Sequence, residues 1–208
     1  MDAIQERIAE VLAGQGIALD QRQWEQLDRH VAEVRRWNRY ASLVSVKDAE
    51  DLWARHVADS LSIAAYVREA AGDGKWLDIG SGGGFPAIPV SLAVPALRGV
   101  LLERSVKKCG ILRRVVGKTG LVNTEVRTGV FPDAVEGEGY TVVTARAVEK
   151  PGELHRALFQ RMGAGTTYFR QGPLEEGEVP ERFHVERIDD DWSQAGLRRG
   201  PLYRIRAE

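Results

Sequence analysis

Lys75-Trp-Leu-Asp-Ile79 runs directly into Gly80-Ser-Gly-Gly-Gly84, and this junction restricts the possible folds more than any other feature of the chain. A short apolar strand that meets four glycines in five positions must turn sharply. Glycine is the residue that accepts positive φ or lets a ligand approach the backbone. A helical stretch from Phe85 to about Val94 follows, so free N–H groups and the positive end of a helix dipole face the turn. Strand, glycine turn and helix in that order open a doubly wound α/β sheet.

The segment after residue 75 keeps this rhythm. Val100–Glu103, Thr124–Arg127, Tyr140–Ala145, Thr166–Arg170, Phe183–Ile188 and Leu202–Arg206 read as further strands, and Val106–Lys118 and Pro151–Met162 as helices. Alternation of this kind implies right-handed crossovers and a mostly parallel sheet of seven strands. No helix is expected between the last two strands, which predicts an antiparallel hairpin at the sheet edge. Residues 1 to about 70 carry no strand signal. Ile4, Ile8, Val11 and Leu12 keep helical spacing, and Asp20 caps a helix whose Trp24, Leu27, Val31 and Val34 form one stripe. A single third helix is expected from about Asp48 to Ala70. The expected organisation is therefore a helical cap, residues 1–72, followed by an α/β domain, residues 73–208.

Composition narrows the classes. A net charge of −1 does not advertise a polyanion partner, so any nucleic-acid surface must be local. No run is long and apolar enough to span a membrane, and the charged N-terminus is not a signal peptide. One cysteine, Cys109, excludes an internal disulfide and a thiolate metal site and suits a reducing cytoplasm. No metal site is expected.

Two acids sharpen the reading of the glycine turn. Asp78 lies two residues before Gly80, where it would repel a pyrophosphate but suits a ligand bearing an ammonium and a sulfonium. Glu103 ends the second strand, 19 residues after Gly84, where a carboxylate can accept hydrogen bonds from ribose hydroxyls. A dinucleotide fingerprint would need glycine where Phe85 stands. The pattern therefore matches S-adenosylmethionine better than a nicotinamide cofactor. A glycine turn that is purely structural, with Asp78 capping the loop, is the alternative.

Trp37-Asn38, the Arg55-His56-x-x-Asp59-Ser60 box, Leu77-Asp-Ile-Gly-Ser-Gly-x-Gly-Phe-Pro86 with Ile88-Pro89, Lys107-Lys108 with Leu112-Arg113, and Arg146-Ala147 occur in one order. In these pieces, from about residue 20 to 172, the chain resembles the glucose-inhibited division protein B family, bacterial methyltransferases of guanine N7 in 16S ribosomal RNA. The resemblance implies a class I S-adenosylmethionine-dependent fold, S-adenosylhomocysteine as product, and small-subunit ribosomal RNA or the ribosomal particle as partner. It further implies a cytoplasmic enzyme, expected to act as a monomer. Carried over residue by residue, it implies Asp78, Gly80, Ser81, Gly82, Gly84, Phe85, Glu103, Val130, Phe131 and Arg146 for the cofactor. It implies Arg146, His56 and Asp59 for catalysis, and Arg55, Ser60, Lys107 and Lys108 for RNA.

The residues also have a reading of their own. On a regular helix Arg55 and Asp59, and likewise His56 and Ser60, are i,i+4 neighbours that can pair, forming a polar ridge toward the cofactor mouth. His56 could equally be a buried histidine at a packing surface. Arg146 falls at the carboxyl end of a strand, the edge along which open α/β sheets bind ligands. Lys107 and Lys108 open a helix, where solvated lysines are also ordinary. The chain departs from the family at Ser42, usually Asn, at Val44, usually Thr, and at Ala87, usually Gly. It departs again at Gln171-Gly172, usually Lys-Gly, and the stretch Gly129-Val-Phe-Pro132 aligns only loosely. Guanine N7 carries a lone pair and no proton, so its methylation needs alignment and charge stabilisation, not a general base. A divergent enzyme of the same fold acting on another RNA, a protein or a small molecule, and a non-catalytic cofactor binder, are the competing readings.

Overall fold

The computed structural model describes residues 1–146 and 151–207. Its strands are β1 (Lys75–Ile79), β2 (Arg98–Glu103), β3 (Thr124–Thr128), β4 (Val142–Ala145), β5 (Thr167–Gln171), β6 (Phe183–Ile188) and β7 (Leu202–Ala207). They form one sheet of seven in the order β3-β2-β1-β4-β5-β7-β6. The first five are parallel, and β7 runs antiparallel to both β5 and β6. Strand order reverses between β1 and β4, which opens a crevice beyond their carboxyl ends.

The central strands are buried on both faces, and their residues alternate between two cores. Trp76, Leu101, Val142 and Phe169 face one core, and Leu77, Ile79, Val100 and Tyr168 the other. The first core is filled by α6 (Ala87–Ala93), α7 (Val106–Thr119) and the helices of the N-terminal 71 residues. The second is filled by α8 (Pro151–Arg161), through Leu154, Leu158 and Phe159.

In the N-terminal region α1 (Ala3–Gly14) and α2 (Gln21–Ala41) each begin at a capping box, Asp2 with Gln5 and Asp20 with Gln23. Helix α2 buries the expected stripe of Trp24, Leu27, Val31 and Val34, and His30 with it. Ser42 ends it with φ of 45°, a left-handed conformation that costs a non-glycine residue about 1 kcal/mol. No described helix is long and apolar enough to cross a membrane.

Two expectations need correction. The third helix is not continuous. It divides into α3 (Val46–Ala49), a π-helical turn (Trp53–Val57), α4 (Ala58–Leu61) and α5 (Ala64–Ala71). Asp51 restarts the chain by accepting the Ala54 N–H at 3.0 Å, so its side chain competes with the helical ladder. The second concerns the connection at the sheet edge. The last two strands do pair antiparallel at the edge as expected, but a four-residue helix, α9 (Asp191–Gln194), separates them, and β7 inserts between β5 and β6.

Candidate active site

A cavity of about 790 Å³ opens at the carboxyl ends of the central strands. Its floor is the glycine turn. The N–H groups of Gly80 and Ser81 both donate to the Leu102 carbonyl, at 2.8 and 3.1 Å, which ties the turn to β2. Glu103, at the end of β2, accepts Gly82 N–H on Oε2 at 3.0 Å and Ser105 N–H on Oε1 at 2.8 Å. Its carboxylate is held rigid in the cavity wall with lone pairs to spare. Gly84 lies behind the wall. A Cβ there would sit 2.5 Å from Ile88 Cδ1 and 3.1 Å from His30 Nε2, at φ of +87°, so the position admits only glycine.

Asp78 lies one layer beneath the turn, almost fully buried, and does not itself line the cavity. Trp76 Nε1 donates to Thr144 Oγ1 at 2.8 Å, and that hydroxyl donates to Asp78 Oδ1 at 2.6 Å. Asp78 Oδ2 has no partner among the described residues. Burial raises this carboxyl to a pKa of about 6, against the opposing hydrogen bonds from Ser81 and Thr144.

Phe85 lies between two histidine rings, with centroids 4.5 Å from His30 and 4.9 Å from His56. His30 Nε2 donates to the Gly83 carbonyl at 2.8 Å and so braces the turn from α2. Burial lowers His30 to about 4 and keeps it neutral.

Arg146, directly after β4, joins the other wall. Its Nη1 donates to Asp59 Oδ2 at 2.7 Å and its Nη2 donates to His56 Nδ1. His56 is therefore an acceptor at Nδ1, and its proton resides on Nε2, which faces Asp48 Oδ2 at 3.5 Å. Burial, followed by the charge of Arg146, lowers His56 to about 3 despite the nearby Asp48 carboxylate. Asp48 is itself held at about 2. Burial pushes it up, but hydrogen bonds from Arg55 and Ser45 and the charge of Arg199 outweigh that. Burial also lowers the Arg146 guanidinium, against the pull of Asp59. This end of the cavity thus offers a compensated cation and a neutral imidazole whose basic nitrogen is already engaged.

The Arg-His-x-x-Asp-Ser box does not pair as a regular helix would. Arg55 donates to Asp48 at 2.8 Å, not to Asp59. Ser60 is fully buried and its hydroxyl donates to the His56 backbone carbonyl, so it cannot serve as an RNA contact. The π-helical turn places five residues where four were expected, and Arg146 supplies Asp59 with a stronger, buried partner. Ser81, Gly82, Phe85, Val130, Phe131, Lys108 and Arg146 line the cavity, whereas Arg55 and Lys107 do not. Ala147 falls outside the described residues.

Four contributors were not anticipated. Thr144 and His30 sit on otherwise apolar faces, and a polar residue on the buried stripe of α2 was a signal available for His30. Asp48 and Arg199 carried none. Arg199 arrives from the loop before β7 and donates its backbone N–H to Asp59 Oδ1 at 3.0 Å and its guanidinium to Asp48 at 3.2 Å. Gln171 donates its amide to the Asp59 backbone carbonyl at 2.8 Å.

A doubly wound sheet with an antiparallel final pair, a glycine-rich first turn and a carboxylate ending β2 defines the class I methyltransferase fold. The chain belongs to the family described as rRNA small subunit methyltransferase G, whose family model matches residues 23–183. A ribosomal RNA small subunit methyltransferase G from Roseiflexus sp. (strain RS-1) is 42% identical over 137 residues, which span 64% of this chain and 58% of that protein. The protein of that name from Nitrosospira multiformis is 32% identical over 193 residues, 88% of each chain. Several of the curated relatives are thus matched over only about three fifths of their length, for example 58% and 61%. Among solved structures, a point mutant of MtNAS in complex with S-adenosylmethionine superposes with a TM-score of 0.62 at 14% identity, covering 96% of this chain and 76% of that one. That likeness concerns the fold alone.

Proposed function

We propose that this chain transfers the methyl group of S-adenosylmethionine to N7 of a guanine in 16S ribosomal RNA, releasing S-adenosylhomocysteine. In this reading it works as a monomer in the cytoplasm. The α/β domain, residues 73–208, holds the cofactor, and the helical cap, residues 1–72, helps to hold the nucleotide. The observation that carries the proposal is the His56–Arg146 contact beside the glycine turn. A cavity that could accept a reactive base ends in an imidazole that is a poor proton acceptor. Such a site suits a nucleophile that brings its own lone pair, as guanine N7 does.

The residues present fit the cofactor. Asp78, one layer beneath the turn, keeps a buried oxygen without a partner among the described residues, where its charge favours a cationic donor, and Glu103 is pinned with lone pairs available for ribose hydroxyls. Gly80, Ser81, Gly82 and Phe85 form the adjoining wall, with Gly84 packed behind it, and Val130 and Phe131 supply an apolar side. When bound, S-adenosylmethionine supplies an electrophilic methyl carbon. Arg146 orients the acceptor through N–H groups beyond those bonded to Asp59 and His56, and Asp59 and His56 fix the plane of its guanidinium. Lys107 and Lys108 at the start of α7, with Arg55, supply positive charge toward RNA.

Transfer of labelled methyl to purified small ribosomal subunits lacking guanine-N7 methylation tests this. Incorporation at a guanine N7 by the wild type, lost in Asp78→Ala and Arg146→Ala, is the expected result. Cofactor binding by calorimetry without incorporation points to a different acceptor. Absence of cofactor binding overturns the reading as a whole.

A further inference from the structure

The basic residues that look scattered along the sequence meet on one face. Helices α2 and α7 pack side by side, and Lys107 Nζ donates to the Tyr40 carbonyl, which ties the end of one helix to the start of the other. This brings the exposed Arg36 of α2 and Arg114 of α7 to the same Trp37 ring, with exposed Arg39 next to Tyr40 and Lys107, and Lys118 one turn further on at Glu33. Glu33, the acid beneath them, is already neutralised by Lys118 and by Arg114 at 3.4 Å. Among the described residues, none of Arg36, Arg39 and Lys107 has a carboxylate within ion-pair distance.

Aromatic rings are interleaved with this charge. The Arg36 and Arg114 guanidinium carbons lie 5.6 and 5.7 Å from the centroid of Trp37, and that of Arg39 lies 4.7 Å from the centroid of Tyr40. Tyr40 is 51% exposed. Seven large apolar side chains are exposed among the described residues. Four of them, Tyr40, Val46, Val106 and Val130, stand on or beside the segments that form the cavity mouth.

We infer that the α2–α7 face is a docking surface for an unpaired RNA strand, with Tyr40 stacking on a base next to the nucleotide that enters the cavity. The inference rests on the function proposed above and adds the surface and strand form to it. Unpaired basic side chains match a phosphodiester backbone, and rings already backed by guanidinium groups present the platform on which bases stack. A duplex hides its base faces, so exposed apolar and aromatic side chains at the mouth favour a splayed strand.

The test uses a labelled, unstructured 12-nucleotide RNA and the corresponding duplex, titrated into the full chain across a salt series with S-adenosylmethionine present. The single strand should bind more tightly than the duplex. Tyr40→Ala should weaken it by about tenfold with little change in salt dependence, the signature of a lost stack. Arg39→Gln and Lys107→Gln should each flatten the slope of log affinity against log salt by about 0.7. Cofactor affinity should be unchanged in all three, and melting temperature in Tyr40→Ala and Arg39→Gln, whereas Lys107→Gln loses its bond to the Tyr40 carbonyl and is read by its salt slope. Methyl transfer to under-methylated subunits on the same proteins separates the two readings. Transfer by the wild type with KM unchanged in every variant overturns the surface and leaves the proposed function. Variants that raise KM for intact subunits while binding free RNA normally indicate a protein contact, which also overturns it. Neither transfer nor RNA binding by the wild type overturns both.

Discussion

Asp78→Asn should make the stability of the protein less dependent on pH, by an amount that burial of the carboxylate sets. Asp78 is almost completely buried, and the hydroxyls of Thr144 and Ser81 only partly offset its desolvation. Its pKa rises from 3.8 to about 6 on folding. The folded protein therefore binds the proton more tightly than the unfolded chain. This stabilisation is fully present below the unfolded value and disappears as pH rises through the folded one. The difference amounts to about 3 kcal/mol once the group is ionised in both states. Roughly 2 kcal/mol of it develops between about pH 4.5 and about pH 7.5. In the Asn variant the side-chain oxygen can still accept from Thr144. The buried amide nitrogen adds a cost that does not vary with pH, and so cancels in the comparison. Urea unfolding of both proteins across that window should show the variant gaining about 2 kcal/mol on the wild type toward the alkaline end. Saturating S-adenosylmethionine should shrink the effect in the wild type, because a cationic group beside Asp78 favours its ionised form. A stability difference that stays constant with pH would refute the reasoning, since it would mean that water reaches Asp78 Oδ2.

Asp59→Ala leaves Arg146 buried without its 2.7 Å partner, and should cost about 3–5 kcal/mol in urea unfolding. A loss below about 1 kcal/mol would show that solvent or Asp48 replaces the carboxylate. With His56 held near 3, kcat measured at saturating cofactor should be flat from about pH 6 to about pH 9. An inflection near the ordinary histidine value that vanishes in His56→Gln would make His56 a general base after all.

The order of residues along the chain set the local grammar. Strands β1, β2 and β4 are short, largely apolar runs bounded by turn residues, and the glycine turn can be read because its backbone demand is met by residue type at that position. Asp78 and Glu103 were legible for the same reason, since both are fixed by their distance along the chain from that turn. Tertiary structure decided what those residues meet. Asp59 receives Arg146 from 87 positions away and the Arg199 backbone from 140 away, and no periodicity encodes either distance. The altered pairing within the Arg-His-x-x-Asp-Ser box follows from that competition, because a buried ion pair with Arg146 outweighs an i,i+4 pair of a few tenths of a kcal/mol with Arg55. The same holds for His56. Its residue type leaves it able to titrate near neutrality, and only its enclosure beside Arg146 makes it neutral, because desolvation and nearby charge depend on positions in space and not on sequence neighbours.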